Sequence, residues 1–284
     1  IYRSKIGIIG YVFNIYKVLK TILEVRSIIK KDGIKINFST GSYIAPIASF
    51  LSFTSGIQYF GQEQNIYAGL GNKITSLLPA VIFTSYPHTK NIYKKKTIYV
   101  GPVVNKDIIK INNINNKGAL TIGVQGGSQG SEEINNYIYK FLSTKKITNV
   151  NFLHITGKEK ADDNLKLENY KQFEFIENMN EYYRKINFQI SRSGGGALEA
   201  AFLGIPQMLI PFKHGTTSSH QNLNAQYLSN LGAGIIVNSY NEFEKNLLDI
   251  ISNYEVNQKV KSNKINIQIG NSEITKYLKE AFNE

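Results

Sequence analysis

The sequence contains no cysteine among its 284 residues. This excludes disulfide bonds and thiolate-ligated metal sites, and it is compatible with a reducing compartment. Arginine is also scarce, because only four of the 33 basic residues are arginines. Grooves that hold nucleic acid use arginine forks, so we expect no nucleic acid partner. The net charge of +12 leaves two interpretations open: lysines scattered by compositional drift, or a surface for an anionic partner such as an acidic membrane.

A long uninterrupted apolar run is missing too. The most apolar segment, residues 6–29, is interrupted by Asn14, Lys17, Lys20, Glu24 and Arg26, whereas a membrane span needs about 20 largely apolar residues. No signal peptide pattern is present, so we expect a cytoplasmic protein. Residues 6–31 have helical periodicity. They predict either a helix that packs on the core or one that also touches a membrane surface.

Several motifs of known chemistry are absent as well. The sequence has no Asp-x-Asp pair to hold a divalent cation on a diphosphate, and its four histidines lack zinc-type spacing. It has no Walker loop, no dinucleotide fingerprint and no nucleophile elbow. We therefore predict no metal site and no hydrolase triad.

What the sequence does contain is a rhythm of short apolar strands and helices in two blocks. The second block includes predicted strands at 120–125, 151–156, 173–175, 188–191, 207–210 and 234–237. This alternation is typical of parallel sheets that bind ligands outside the carboxyl ends of their strands. We predict an α/β protein with a first domain at 1–104, an Asn-rich linker at 105–117 and a second domain at 118–265. A C-terminal helix within 266–284 is expected to return to the first domain.

Two glycine-rich loops in the second block each follow an apolar strand and open a helix. They are Gly126-Gly127-Ser128-Gln129-Gly130 and Arg192-Ser193-Gly194-Gly195-Gly196. Glycines let the backbone approach a ligand closely, and helix amino termini favour anions such as a diphosphate. Each loop alone could equally be a tight turn. The two together favour a nucleotide.

Three polar positions have a functional and an ordinary interpretation. Glu199 could accept hydrogen bonds from a sugar diol or act as a helix-dipole partner. The run from His214 to Ala225 suits recognition of sugar hydroxyls or forms a polar surface loop. Residues 62–65, Gln-Glu-Gln-Asn, offer orienting groups for a polar substrate or serve as turn residues.

These motifs stand in a specific order: GGSQG at 126–130, EFIENM at 174–179, SRSG at 191–194, GIP at 204–206 and HQNLNA at 220–225. In this order they resemble the MurG family of peptidoglycan glycosyltransferases, part of glycosyltransferase family 28. The first block agrees through Gly41-Ser42-Tyr43 and Glu63-Gln64-Asn65. The resemblance implies two Rossmann-like parallel-sheet domains facing a cleft (GT-B type). It also implies a peripheral protein on the cytoplasmic face of the cell membrane.

The resemblance implies roles for individual residues. The second domain is expected to bind UDP-N-acetylglucosamine, with the diphosphate near Ser128, the uracil beside Ile176, the ribose at Glu199, and the sugar at His220 and Gln221. The full donor set is Gly127, Ser128, Gln129, Gly130, Ile176, Arg192, Gly194, Ala197, Leu198, Glu199, His220 and Gln221. The expected acceptor-side residues are Tyr43, Glu63 and Asn65.

The implied reaction is an inverting transfer of N-acetylglucosamine to a lipid-linked acceptor, undecaprenyl-diphosphate-muramyl-pentapeptide, with neither a cofactor nor a nucleotide-bound metal. The family opens with a strand and a glycine-rich loop ending in His, which have no counterpart here. We therefore expect an incomplete N-terminal domain that lacks about two βα units, roughly 60 residues, and we name no catalytic base. Two alternatives remain: a related transferase with another lipid acceptor such as diacylglycerol, and a non-catalytic UDP-sugar-binding protein.

Overall fold

The computed structural model of the chain describes residues 8–93, 97–111, 118–213, 218–257, 265 and 267–283. The chain divides into two compact units. Unit 1 comprises Ile1–Glu63, Ala68–Val100 and Ser272–Glu284, and unit 2 comprises Gln64–Tyr67 and Gly101–Asn271. Each unit has one sheet in which the described strands pair in parallel, as the alternation of strands and helices predicts.

Unit 1 is built on a four-stranded sheet in the order β1-β2-β3-β4. Its elements are α1 (Ile8–Lys31), β1 (Ile36–Ser39), α2 (Ala45–Ser55), β2 (Gln58–Glu63), α3 (Leu70–Thr75), β3 (Val81–Thr84) and β4 (Thr97–Tyr99). The C-terminal helix, Asn271–Asn283, lies in this unit from Ser272 onward. Its Tyr277 packs 5.5 Å from Phe83 of β3, which stacks on Phe60 of β2 at 5.7 Å. These aromatic contacts form the centre of the unit 1 core.

Unit 2 carries the larger sheet. Its elements are α4 (Lys106–Ile109), β5 (Leu120–Gln125), α5 (Glu132–Thr144), β6 (Val150–Ile155), β7 (Tyr170–Phe173), α6 (Met179–Lys185), β8 (Phe188–Ser191), α7 (Gly195–Phe202), β9 (Gln207–Leu209), α8 (Ser218–Asn230), β10 (Gly234–Ile236) and α9 (Tyr240–Asn257). The C-terminal helix is therefore α10. The strand order is β10-β9-β8-β5-β6-β7, which is the doubly wound order of Rossmann folds.

Helices cover both faces of the unit 2 sheet. Ile122 and Val124 of β5 pack with α5 and α9 in one apolar cluster, whereas Tyr182 of α6 belongs to a second cluster. Gly123 points the other way from its neighbours and faces Tyr182, as the period of two in a strand requires. Burial on both faces explains why these strands read as continuous apolar runs.

Two sequence-based expectations need correction. The strand predicted at 173–175 is wrong, because β7 ends at Phe173 and Phe175 is exposed. The periodicity of residues 6–31 predicts Leu23 and Ile29 on one apolar face of α1, and this is wrong at Leu23, which is 67% exposed while Ile29 is buried. Within the predicted linker at 105–117, the structure has the short helix α4, in which Ile108 is buried. Residues 112–117 lie outside the described residues.

Candidate functional site

The two glycine-rich loops follow neighbouring strands in the middle of the unit 2 sheet. From β5 the chain continues outward to β6 and β7, and from β8 it continues in the opposite direction to β9 and β10. The carboxyl ends of β5 and β8 therefore form the topological switch point, where such sheets bind their ligands. Gln125 and Ser191, the last residues of these strands, are paired in the sheet. Both predicted loops thus start at the same edge.

The loop after β5 requires its glycines. Gly127 and Gly130 have positive φ angles of 85° and 68°, which L side chains rarely adopt. A Cβ at Gly130 would lie 1.9 Å from the carbonyl oxygen of Thr156. Ser128 and Gln129 are exposed at the tip. The loop leads into α5, whose first turn is capped by the Ser131 hydroxyl accepting from the Ile134 amide at 3.3 Å.

The loop after β8 leaves backbone open at a helix start. Gly194 is the N-cap residue of α7, and a Cβ at Gly194 or Gly195 would meet no described heavy atom within 4 Å. The side chains of Ala197 and Leu198 are buried. These two residues can therefore contribute only backbone groups to a ligand, and the free space lies over the glycines.

A cavity of about 570 Å³ opens beside both loops. Its lining includes Gly126, Gly130, Ser131, Lys160, Arg192 and Gln221. Lys160 donates to the carbonyl oxygen of Gln129 at 2.8 Å, so its ammonium lies against the loop after β5. Three of the predicted donor residues, Gly130, Arg192 and Gln221, thus border one space. Ile176 and Glu199 do not line it.

Arg192, which lines the cavity, is held in place by several contacts. Its guanidinium donates to Glu133 Oε2 at 2.7 Å and to the carbonyl oxygen of Ile210 at 2.9 Å, and it lies 5.3 Å from the Phe212 ring centre. Lys213 donates to the other oxygen of Glu133 at 3.0 Å. Burial alone would raise the pKa of the Glu133 carboxyl, but its hydrogen bonds and attraction to Arg192 and Lys213 lower it. The carboxylate therefore stays ionised and fixes both cations.

Glu199 lies half-buried on α7, one turn beyond the glycines. Its Oε2 accepts a hydrogen bond from the Tyr183 hydroxyl at 2.9 Å. Burial raises the pKa of the Glu199 carboxyl, and the Tyr183 hydrogen bond lowers it in part. This carboxylate is held from within the protein rather than by the helix start alone.

The other predicted donor residues occupy distinct places in unit 2. Ile176 is half-buried in the connection from β7 to α6 and packs on the cluster of Tyr182 and Ile186. Gln221 Oε1 accepts from the Phe212 amide at 3.0 Å. The His220 ring lies 5.2 Å from the ring of Tyr67. Residues 214–217, part of the predicted polar loop, lie outside the described residues.

The predicted acceptor-side residues differ in exposure and in hydrogen-bond partners. Tyr43 is 72% exposed after β1. Glu63 ends β2 and is 4% exposed, and its Oε2 accepts from Asn72 Nδ2 at 2.9 Å and from the Gly69 amide at 3.0 Å. Asn65 belongs to unit 2, where its Oδ1 accepts from Asn224 Nδ2 at 3.1 Å. Glu63 therefore organises the start of α3.

Sequence reasoning missed two residues that shape this region, Lys160 and Tyr183, and it named Asn224 only as part of the polar run from His214 to Ala225. Lys160 follows β6, the neighbour of β5, so its position after a strand end was a usable signal. Asn224 is 1% exposed and donates to Asn65 and to the Ser193 carbonyl oxygen while accepting from the Ile66 amide at 3.0 Å. These contacts are long-range, and no local pattern indicates them.

Within the described part of the chain, no group of three or more His, Cys, Asp or Glu side chains is arranged to hold a metal ion. No described helix combines the length and apolarity needed to cross a bilayer.

Comparison with known families decides the identity. The model of the glycosyltransferase family 28 C-terminal domain matches residues 121–278, a range that contains both glycine-rich loops and the cavity. The chain belongs to glycosyltransferase family 28. The resemblance drawn from the ordered motifs is therefore confirmed.

Two relatives carry the same kind of name. The chain is 29% identical over 232 residues to the UDP-N-acetylglucosamine–N-acetylmuramyl-(pentapeptide) pyrophosphoryl-undecaprenol N-acetylglucosamine transferase 3 of Bacillus cereus, covering 78% of this chain and 65% of that protein. It is 31% identical over 229 residues to the transferase of that name in Staphylococcus carnosus, covering 77% and 63%. The family 28 chain thus spans about two thirds of the length of these relatives.

A solved structure extends the comparison to the fold. The crystal structure of Acinetobacter baumannii MurG matches with a TM-score of 0.65 at 21% identity, covering 83% of this chain and 70% of that one. At this identity the match establishes the fold alone. The predicted fold class, Rossmann-like parallel-sheet domains of the GT-B glycosyltransferase type, is confirmed.

Proposed function

We propose that this family 28 protein transfers N-acetylglucosamine from UDP-N-acetylglucosamine to undecaprenyl-diphosphate-muramyl-pentapeptide in peptidoglycan synthesis. The observation that carries the proposal is the pair of glycine-rich loops at the switch point of the unit 2 sheet. The names of the Bacillus and Staphylococcus relatives supply the donor, the acceptor and the reaction. The family match over 121–278 supports the donor half of the proposal most directly.

The loops suit a diphosphate. The tip of the loop after β5 is exposed, and Gly194 and Gly195 at the start of α7 are uncovered. Backbone amides at helix starts favour negative charge, and Lys160 adds a cation at the same wall. In a transfer reaction these groups would stabilise the charge that develops on the UDP leaving group. A resident cofactor or metal is not part of the proposal.

The remaining assignments follow the site positions. Ile176 would lie beside the uracil, Glu199 would accept from the ribose hydroxyls, and His220 with Gln221 would hold the sugar. The residues proposed for acceptor recognition are Tyr43, Glu63 and Asn65, and of these Tyr43 is exposed. The base that deprotonates the acceptor hydroxyl is not assigned.

Titration calorimetry tests the donor half. We expect UDP-N-acetylglucosamine to bind, with UDP-glucose weaker and ADP-glucose much weaker. Lys160→Ala should weaken UDP-N-acetylglucosamine about tenfold, the size of one charge-assisted hydrogen bond. Lys158→Ala is the matched control, because Lys158 is two residues away with its side chain 83% exposed. A folded sample that binds none of these ligands would overturn the proposal.

We further propose that the protein attaches peripherally to the cytoplasmic face of the cell membrane through unit 1. Helices α2 and α3 are neighbours, and exposed apolar side chains lie on both helices and in the turn just after α3: Phe50, Phe53, Leu70, Ile74 and Leu77. Exposed apolar patches of this kind mark interaction surfaces. Lys73 is exposed between them on α3, which suits anionic lipid headgroups. A surface on unit 1 agrees with a lipid-linked acceptor.

A further inference from the structure

Two adjacent buried tyrosines on α6 differ in the hydrogen bonding of their hydroxyl groups. Tyr182 and Tyr183 are 2% and 0% exposed. The Tyr182 hydroxyl has no hydrogen-bond partner in the described part of the chain. The Tyr183 hydroxyl contacts Gln125, the Gly196 carbonyl oxygen and Glu199. The Tyr183 hydroxyl of α6 therefore lies between the end of β5 and the first turns of α7.

The Tyr183 hydroxyl lies at the end of a buried chain of glutamines. Gln207 Nε2 donates to the Ala197 carbonyl oxygen at 2.9 Å, so its Oε1 is left to accept from Gln189 Nε2 at 3.3 Å. Gln189 Oε1 in turn accepts from Gln125 Nε2 at 2.8 Å. Buried amides must be satisfied, which fixes the orientation of each one.

The orientation of the Gln125 amide determines where the Tyr183 hydroxyl donates its hydrogen. Gln125 Nε2 also donates to the Tyr183 hydroxyl oxygen at 3.2 Å. A phenol has one hydrogen, and the hydroxyl oxygen is already accepting, so the hydrogen is directed to Glu199 Oε2 at 2.9 Å or to the Gly196 carbonyl oxygen at 3.2 Å. The carboxylate is the closer and stronger acceptor. Glu199 Oε1 has no hydrogen-bond partner among the described residues.

We propose that Tyr183 is a positioning residue for the donor nucleotide: its hydroxyl holds Glu199 Oε2 and leaves Oε1 to accept from a ribose hydroxyl. The inference rests on the proposed function and on Glu199 as the ribose-binding group. In this proposal Gln125, at the end of β5, orients the Tyr183 hydroxyl, and that hydroxyl positions the Glu199 carboxylate on α7. Hydrogen bonds through Tyr183 thereby connect the end of β5 to α7 at the switch point.

The test compares two ligands with and without the ribose diol. Binding of UDP and of 2′,3′-dideoxy-UDP is measured by calorimetry for wild type, Tyr183→Phe and Tyr182→Phe. Tyr183→Phe should weaken UDP about tenfold and leave dideoxy-UDP unchanged. Tyr182→Phe, the same change at the next residue, should alter neither. Glu199→Gln combined with Tyr183→Phe should weaken UDP no more than Glu199→Gln alone.

The outcomes separate the possible failures. Equal weakening of both ligands by Tyr183→Phe, or no weakening of either, would overturn the inference while wild-type binding leaves the proposed function standing. A folded wild type that binds no UDP would overturn the proposed function and this inference with it. If Tyr183→Phe does not fold, Glu199→Asp takes its place, because a shorter side chain withdraws the carboxylate from the Tyr183 hydroxyl. The same ligand-dependent loss is then expected, and its absence counts against the inference.

Discussion

Gly123 lies in the middle of β5 at a point where a side chain has no room. A Cβ there would stand 2.4 Å from the Tyr182 hydroxyl oxygen and 2.8 Å from Ile186 Cδ1. Tyr182 is buried at 2% exposure, so its ring cannot swing into solvent. The glycine is required by close packing of α6 on the sheet, since its φ is not in the left-handed region.

We therefore expect Gly123→Ala to destabilise unit 2 by roughly 1–3 kcal/mol, the usual cost of overpacking a core. Urea unfolding followed by circular dichroism measures it. Adding Tyr182→Phe removes the nearest atom and should restore part of the loss, although Tyr182→Phe alone should be close to neutral. A double variant no more stable than Gly123→Ala would contradict this account.

At the scale of elements, His154 joins two strands and a helix. Asn135 Nδ2 donates to the Thr156 carbonyl oxygen, so its Oδ1 accepts from His154 Nε2 at 3.0 Å. His154 Nδ1 is then the acceptor of the Tyr170 hydroxyl at 2.8 Å. This pattern requires a neutral imidazole. Burial lowers the pKa of His154 to about 3. The contacts that join α5, β6 and β7 therefore depend on a neutral His154 ring.

The lowered pKa predicts a loss of stability in acid. In the unfolded chain the imidazole has a pKa of about 6.5 and binds a proton below it, whereas the folded protein resists protonation. The contribution of neutral His154 to the free energy of unfolding is complete above pH 6.5. It falls as the pH drops and is lower by roughly 2 kcal/mol at pH 5. Urea unfolding at several pH values measures it, with His154→Leu as the comparison. A wild type and a variant with the same slope between pH 6.5 and 5 would contradict the assignment.

The same elements show what the sequence could and could not predict. The strands at 120–125 and 188–191 were predicted with the observed bounds, because each is a short apolar run ended by polar or glycine residues. The strand before Phe175 was placed three residues late. Tyr170, which starts β7, is buried through its contact with His154, sixteen residues earlier in the chain. Long-range polar pairing of this kind leaves no local pattern, and the partner of Glu199 was missed for the same reason.

On the scale of the whole molecule, the peripheral membrane proposal combines the net charge with the exposed apolar side chains of unit 1. In this proposal the net charge of +12 would draw the protein toward an anionic surface over about a Debye length. The exposed apolar side chains of α2, of α3 and of Leu77 just after α3 would then insert at the headgroup level. Charge alone would give binding that salt abolishes, whereas insertion adds a component that salt does not screen.

Vesicle flotation separates these two contributions. We expect the protein to float with vesicles rich in phosphatidylglycerol at low salt and to be partly retained at high salt. The variant Phe53→Ser with Leu77→Ser should lower binding by more than about tenfold at high salt, because burying each such side chain is worth roughly 1.5–3 kcal/mol. Leu231→Ser, an exposed apolar position of unit 2, is the control and should bind as wild type does. If the double variant and the control bind alike, α2 and α3 are not the membrane surface. If wild type stays unbound even at low salt, where screening is weakest, the peripheral membrane proposal fails altogether.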